Sequence, residues 1–184
     1  MTLSESRRLS RRSLFGAALV SAAIVKFPIA GHARENNGKE PRSLAVNDSG
    51  GDETHVLVFQ KGEEIMRGLK VFVKEHKLTS GHFSAIGAVS DAVLGFFHPR
   101  RKEYIPIPIP EQAEVASLTG NFELKDGHPY LHTQAVLALG NGSTRGGHLL
   151  EAHVWPTLEV VLVGWPTEVR RKLDRDTGLY LLDV

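Results

Sequence analysis

The sequence predicts a strand-dominated domain with one helix, and three features carry that prediction. Beyond residue 54 the chain divides into short runs rich in Val, Leu and Phe, each bounded by Gly, Pro, Asp or Asn. Only the segment from Lys61 to Leu78 spaces its apolar residues as a helix does, and no heptad or solenoid-length repeat appears. A chain of 184 residues, 41% hydrophobic and 23% charged, suffices for one compact core without disulfide or metal staples.

The first 33 residues stand apart. They carry Arg7, Arg8, Arg11, Arg12 and Lys26 against a single acid, Glu5, and an apolar stretch too short to span a bilayer comfortably, followed by small residues at Gly31 and Ala33. This is the layout of a removable export signal, and "SRRSLF" (Ser10 to Phe15) resembles the twin-arginine motif that sends folded bacterial proteins out of the cytoplasm. The mature protein is therefore expected in the periplasm or outside the cell, with no stable membrane association after cleavage. Taking those five basic residues and one acid from totals of 22 and 21 leaves 17 basic and 20 acidic, a charge of about −3 with His neutral. A phosphate-binding surface needs the opposite sign, so the mature chain is a poor nucleic-acid partner. Cysteine is absent, which leaves imidazole, carboxylate and amide groups as the available metal ligands.

Residues 34–53, "RENNGKEPRSLAVNDSGGDE", are polar and read as a flexible tether, with a domain over 54–184. "HVLVF" (55–59) predicts a strand. The helix follows in "KGEEIMRGLKVFVKEHKL", with Ile65, Leu69, Phe72 and Val73 on one stripe and Glu63 and Glu64 against the positive N-terminal dipole. His76, near the helix end, reads as a charge-compensating or capping residue. Further strands are expected in "HFSAIGAVS", "AVLGFFH", "AEVASLTGNFEL", "YLHTQAVLAL", "GHLLEAHVW" and "LEVVLVGW". "IPIPIP" (105–110) cannot donate a full ladder of hydrogen bonds and must be an extended edge or surface connection. His82 and His98 open and close their runs as turn or surface residues.

The stretch "LHTQAVLALGNGSTRGGHLLEAHV" (131–154) concentrates histidine. On a strand His132 and Gln134 point to one face, and a long hairpin would bring His148 beside them, with Gly146 and Gly147 leaving room for close approach. His153 has the opposite parity to His148 and shares the site only if a bulge intervenes. From spacing alone these rings are either metal ligands or acid–base groups, or half-buried structural histidines bonded to carbonyls.

"GHFSAIGAVSDAVLGFF", "SLTGNFEL" and "YLHTQAVLALGNGSTRGGHLLEAHVWPTLEVVL" together resemble the plants-and-prokaryotes-conserved (PPC) domain, a family that often carries a provisional DNA-binding label with a PD1-like motif. The most specific part is Gly146, Gly147, His148 and Leu149, followed by Thr157, Glu159, Val160 and Val161. The resemblance implies an α+β fold with a highly curved, largely antiparallel sheet, one main helix and assembly into a homotrimer. Many prokaryotic members carry two histidines on the first strand, separated by one residue, and a third after the glycines, an arrangement similar to the zinc site of acetolactate decarboxylase, whose fold looks related. His132 and His148 match the outer positions, but Gln134 holds the middle one. An amide oxygen ligates zinc more weakly than imidazole, so the resemblance leaves a looser site, one completed by His153 or His82, or a metal-free pocket. Tyr104 matches a family tyrosine, and core-edge packing is its simplest role. Glu159 either faces solvent or a partner subunit, or pairs with a cation in the pocket; Arg145 is either a solvated loop residue or a clamp on an anion.

Three functions follow as expectations. The first is an exported homotrimer binding a metal ion, zinc or another divalent cation, or a small anionic ligand in a cleft of His132, His148 and His153 with Gln134, Arg145, Gly146, Gly147 and Glu159. A metal there could support lyase-like chemistry, and the sequence names no substrate. The second is a DNA-binding module, for which the mature chain lacks a basic hook. The third is a structural or regulatory trimer with a vestigial site, for which Gln134 is the main argument. No persuasive catalytic Ser-His-Asp order, P-loop or dinucleotide fingerprint supports another class.

Overall fold

In the computed structural model, residues 40–47 and 51–184 are described; the predicted export signal and part of the predicted tether lie outside them. The element order is β1 (Arg42–Asn47), β2 (Glu53–Gln60), α1 (Ile65–Glu75), β3 (Gly81–His98), β4 (Glu103–Ile109), β5 (Ala113–Lys125), β6 (His128–Leu139), β7 (Thr144–Gly164), β8 (Arg170–Leu173) and β9 (Tyr180–Asp183). The protein is mostly β, with one helix among the described residues. Among the described residues every strand pairing is antiparallel except a single parallel bridge between Leu124 of β5 and Arg170 of β8, which makes the sheet mixed.

Strand β7 is the hub, pairing with β2, β3 and β6. Because β3 also pairs with β5, and β5 with β6, the four long strands hydrogen-bond in a closed cycle with an inner and an outer face. Alternation along the strands fills the inner face: Leu57 and Phe59 from β2, Phe83 and Leu94 from β3, Leu118 and Phe122 from β5, Leu137 from β6, and Leu149, Leu158 and Leu162 from β7 are all buried. Burying each such side chain contributes roughly 1.5–3 kcal/mol.

Helix α1 adds Ile65, Leu69, Phe72 and Val73 to this core. Glu64 caps its start, accepting from the backbone N–H of Met66 at 2.9 Å and of Arg67 at 2.6 Å. At its end Lys77 takes a left-handed conformation, with its N–H donating to the Lys74 carbonyl and that of Leu78 to the Val73 carbonyl, the pattern of a Schellman cap.

Several expectations change in detail. "HFSAIGAVS" and "AVLGFFH" form one strand of 18 residues, and "GHLLEAHVW" and "LEVVLVGW" one of 21. Register shifts in both mark bulges, which let a long strand turn without ending. "IPIPIP" lies along β3 as most of the edge strand β4. Within the predicted tether, Arg42–Asn47 pair with β2 as β1, and the C-terminal segment, for which no strand is expected above, forms the β8–β9 hairpin.

Candidate metal and ligand cleft

The β5–β6 hairpin closes through Asp126 and Gly127, both at positive φ, a two-residue turn that pairs Lys125 with His128 and fixes the rest of the register. Asn121 then stands opposite His132, Thr119 opposite Gln134 and Glu123 opposite Tyr130. On the other side of β6, Gln134 is the direct partner of His148. Since Leu131, Thr133 and Ala135 fill the inner face, Tyr130, His132 and Gln134 point outward, and so does His148.

His132 and His148 thus share a face, with ring centroids 5.4 Å apart and planes 27° from parallel. Tyr104 of β4 stacks on the opposite side of His148, centroid to centroid 4.4 Å, giving three consecutive rings. Gln134 Nε2 lies 3.4 Å from His132 Nε2. The approach of β7 to β3 depends on small residues: a Cβ at Gly147 would stand 2.9 Å from the Gly95 carbonyl oxygen, and one at Gly95 would stand 3.0 Å from the Tyr104 ring.

Burial sets the electrostatics. The His148 imidazole is pushed down to about 4, first by desolvation and then by the neighbouring His132. His132 is lowered by desolvation and by the charge of Arg171. Tyr104 is raised by burial and by Tyr130, so its phenol stays protonated. At neutral pH the cleft therefore holds two neutral imidazoles and a phenol O–H. His148 Nδ1 is buried and has no hydrogen-bond partner among the described residues. The chemistry open to such a set is lone-pair donation to a metal from the imidazoles and hydrogen-bond donation to an anion from the phenol and the amide.

The C-terminal hairpin reaches this face through a buried ion pair. Arg171 Nε donates to Glu123 Oε2 at 2.7 Å, Nη1 to the Tyr180 carbonyl at 2.8 Å and Nη2 to Asn121 Oδ1 at 2.8 Å. Glu123 is fully buried, and desolvation raises its carboxyl despite Arg171. Sequence reasoning missed all of this group.

The other expected site residues fall elsewhere. A bulge at Leu150 restores His153 to the outer face, since Val93 pairs with Glu151 and Leu94 with Leu149. It nonetheless lies five residues, roughly 15 Å, along the strand from His148. There its Nδ1 pairs with Asp91 Oδ1 at 2.8 Å. Gly146 and Gly147 border the cleft opposite Val136 and Ala135. Arg145 pairs with Leu137 on the opposite pleat from His148, and its Nη1 donates to the Thr144 carbonyl. Glu159 lines a separate open groove with Ile86, Val161 and Thr119. His82 packs near Trp165, and His98 accepts from the Arg101 N–H.

A second cluster involves His76. Glu53, His55 and His76 present ligand atoms that all lie within 4.8 Å of one another.

The model of the Plants and Prokaryotes Conserved (PCC) domain matches residues 47–166. Among solved structures, a metal-containing protein from Archaeoglobus fulgidus is 31% identical, with 79% of this chain and 99% of that one covered and a TM-score of 0.68. A plant- and prokaryote-conserved protein from Pyrococcus horikoshii is 29% identical, with coverage of 78% and 95% and a TM-score of 0.68. A protein from Bacteroides thetaiotaomicron, described provisionally as DNA-binding, is 29% identical, with coverage of 77% and 96% and a TM-score of 0.69. No curated protein matches the chain significantly.

Proposed function

The chain belongs to the Plants and Prokaryotes Conserved domain family, and from that premise we propose that it binds a divalent transition-metal ion through His132, His148 and Gln134, together with a small anionic ligand. The observation that carries this reading is the buried, unpartnered Nδ1 of His148 beside a second imidazole. An orphaned buried nitrogen is costly unless a ligand occupies it, and a ring pushed down to about 4 keeps its lone pair free of protons at neutral pH. The metal-containing relative from Archaeoglobus fulgidus supports the same reading.

The donor set fits a borderline ion such as zinc, and the absence of a carboxylate from it argues for a loosely held one. A charge-compensating anion would find the protonated Tyr104 and the Gln134 amide as donors. Such an ion supplies a Lewis acid that polarises an oxygen of whatever binds beside it. Zinc titration by calorimetry tests this. The His132→Ala/His148→Ala protein is expected to lose one equivalent per chain relative to the parent; an unchanged count refutes the cleft as a metal site.

Homotrimer formation and export complete the proposal. Ile86 and Phe96 are 63% and 60% exposed, and Val136, Leu150 and Val161 are also open, apolar side chains that neighbouring subunits would cover. Light scattering of the mature protein measures that state. The arginine pair at Arg11 and Arg12 supports export, which fractionation of cells carrying Arg11→Lys/Arg12→Lys would test. The DNA-binding description of a relative favours a second reading, opposed by the net acidity of the mature chain; a salt-dependent gel shift with duplex DNA decides it.

A further inference from the structure

We infer that Glu53, His55 and His76 form a second divalent-cation site, at the C-terminal end of α1 and separate from the cleft. His55 occupies the inward pleat of β2 in line with Leu57 and Phe59, where the pattern calls for an apolar residue. It is 2% exposed, and its Nε2 lies 2.9 Å from Glu53 Oε1. Among the described residues, neither ring nitrogen has a hydrogen-bond partner apart from that carboxylate. Two polar atoms are therefore buried, one of them against a carboxylate, the condition a bound cation would relieve.

The helix brings the second imidazole. His76 is its C-cap; its ring stacks on Phe72 at 4.1 Å and stands 5.2 Å from the His55 ring, so packing fixes both imidazoles before any ion arrives. Its Nε2 is 2.7 Å from Glu40 Oε1, a carboxylate at the edge of the group. The Glu53 carboxylate offsets part of the charge of a divalent ion, as the cleft's neutral donors do not, and the carbonyl end of a helix carries partial negative charge. Imidazole with carboxylate suits zinc, cobalt or nickel rather than calcium or magnesium. The two clusters are remote along the sheet: the partner of His55, Leu162, is fourteen residues along β7 from His148.

The full chain carrying His132→Ala/His148→Ala is titrated with zinc alone by calorimetry, and with cobalt alone while its visible absorption is followed. Retention of one equivalent per chain, with the absorption of imidazole-bound cobalt, is expected. Adding either His76→Ala or Glu53→Gln, which alter partly exposed side chains and spare the buried His55, should weaken that equivalent at least tenfold, a normal far-ultraviolet spectrum confirming the fold. No binding in the cleft-deleted chain, or binding indifferent to both further changes, overturns this site. The cleft reading fails independently, when deleting the cleft removes no zinc from the parent.

Discussion

Gln134 faces His148 directly across the β6–β7 ladder and lies beside His132 on its own strand. One amide thus has both histidines of the cleft as neighbours in the ladder, at the position where a third imidazole would complete a set. Gln134→His is expected to raise zinc affinity at least tenfold, since imidazole is the better ligand and non-hydrogen-bonded or hydrogen-bonded cross-strand partners stand only about 4.5–5.5 Å apart. Gln134→Ala should lower it by a few fold. Competition against a chromophoric chelator reads both; no gain with histidine would mean that the ion does not sit between these strands.

Stability should fall on mild acidification. Folding holds His148 at about 4, below its ordinary 6.5, so the unfolded chain takes up a proton that the folded chain refuses. The contribution is complete above about pH 6.5 and is lost as the pH falls towards 4, flattening below that. Discounted for the partial exposure of the ring, the loss is about 1–2 kcal/mol. Urea denaturation at intervals across that window, on the parent and on His148→Gln, should show a slope that the substitution reduces.

Arg171→Met should cost about 3–5 kcal/mol, because it leaves the Glu123 carboxylate buried without its partner. Adding Glu123→Leu should recover much of that loss. The single change should also let His132 titrate at higher pH, because it removes a positive charge that lowers the ring. Urea midpoints and a proton NMR titration measure the two effects.

Gly95→Val should displace Tyr104 from the face of His148, since even a Cβ there would stand 3.0 Å from the tyrosine ring and 3.2 Å from Leu150. The ring-current shift on the His148 carbon-bound protons should shrink. An unaltered shift would show that the stack does not depend on this close approach.

Much of this was legible in the sequence, and the reasons are local. Alternation in "HVLVF" and the apolar stripe of Ile65, Leu69 and Phe72 give β2 and α1 directly. Parity places His132 with Gln134, and a two-residue Asp126-Gly127 turn dictates a register with Asn121 opposite His132 and Glu123 opposite Tyr130. His55 was equally readable, as a histidine on an inward pleat. Arg171 was not, because it reaches Glu123 from a hairpin joined to β5 by one parallel bridge, and no periodicity records so distant a contact. The strand lengths were hidden for a related reason: bulges and Pro156 look like ends in sequence, whereas β7 continues through them.

The most direct measurement is a crystal structure of the mature protein grown with cobalt, with diffraction recorded on both sides of the cobalt absorption edge. The account requires an anomalous peak within about 2–2.5 Å of a ring nitrogen of both His132 and His148. A fully bound protein with no peak between those two rings would contradict it.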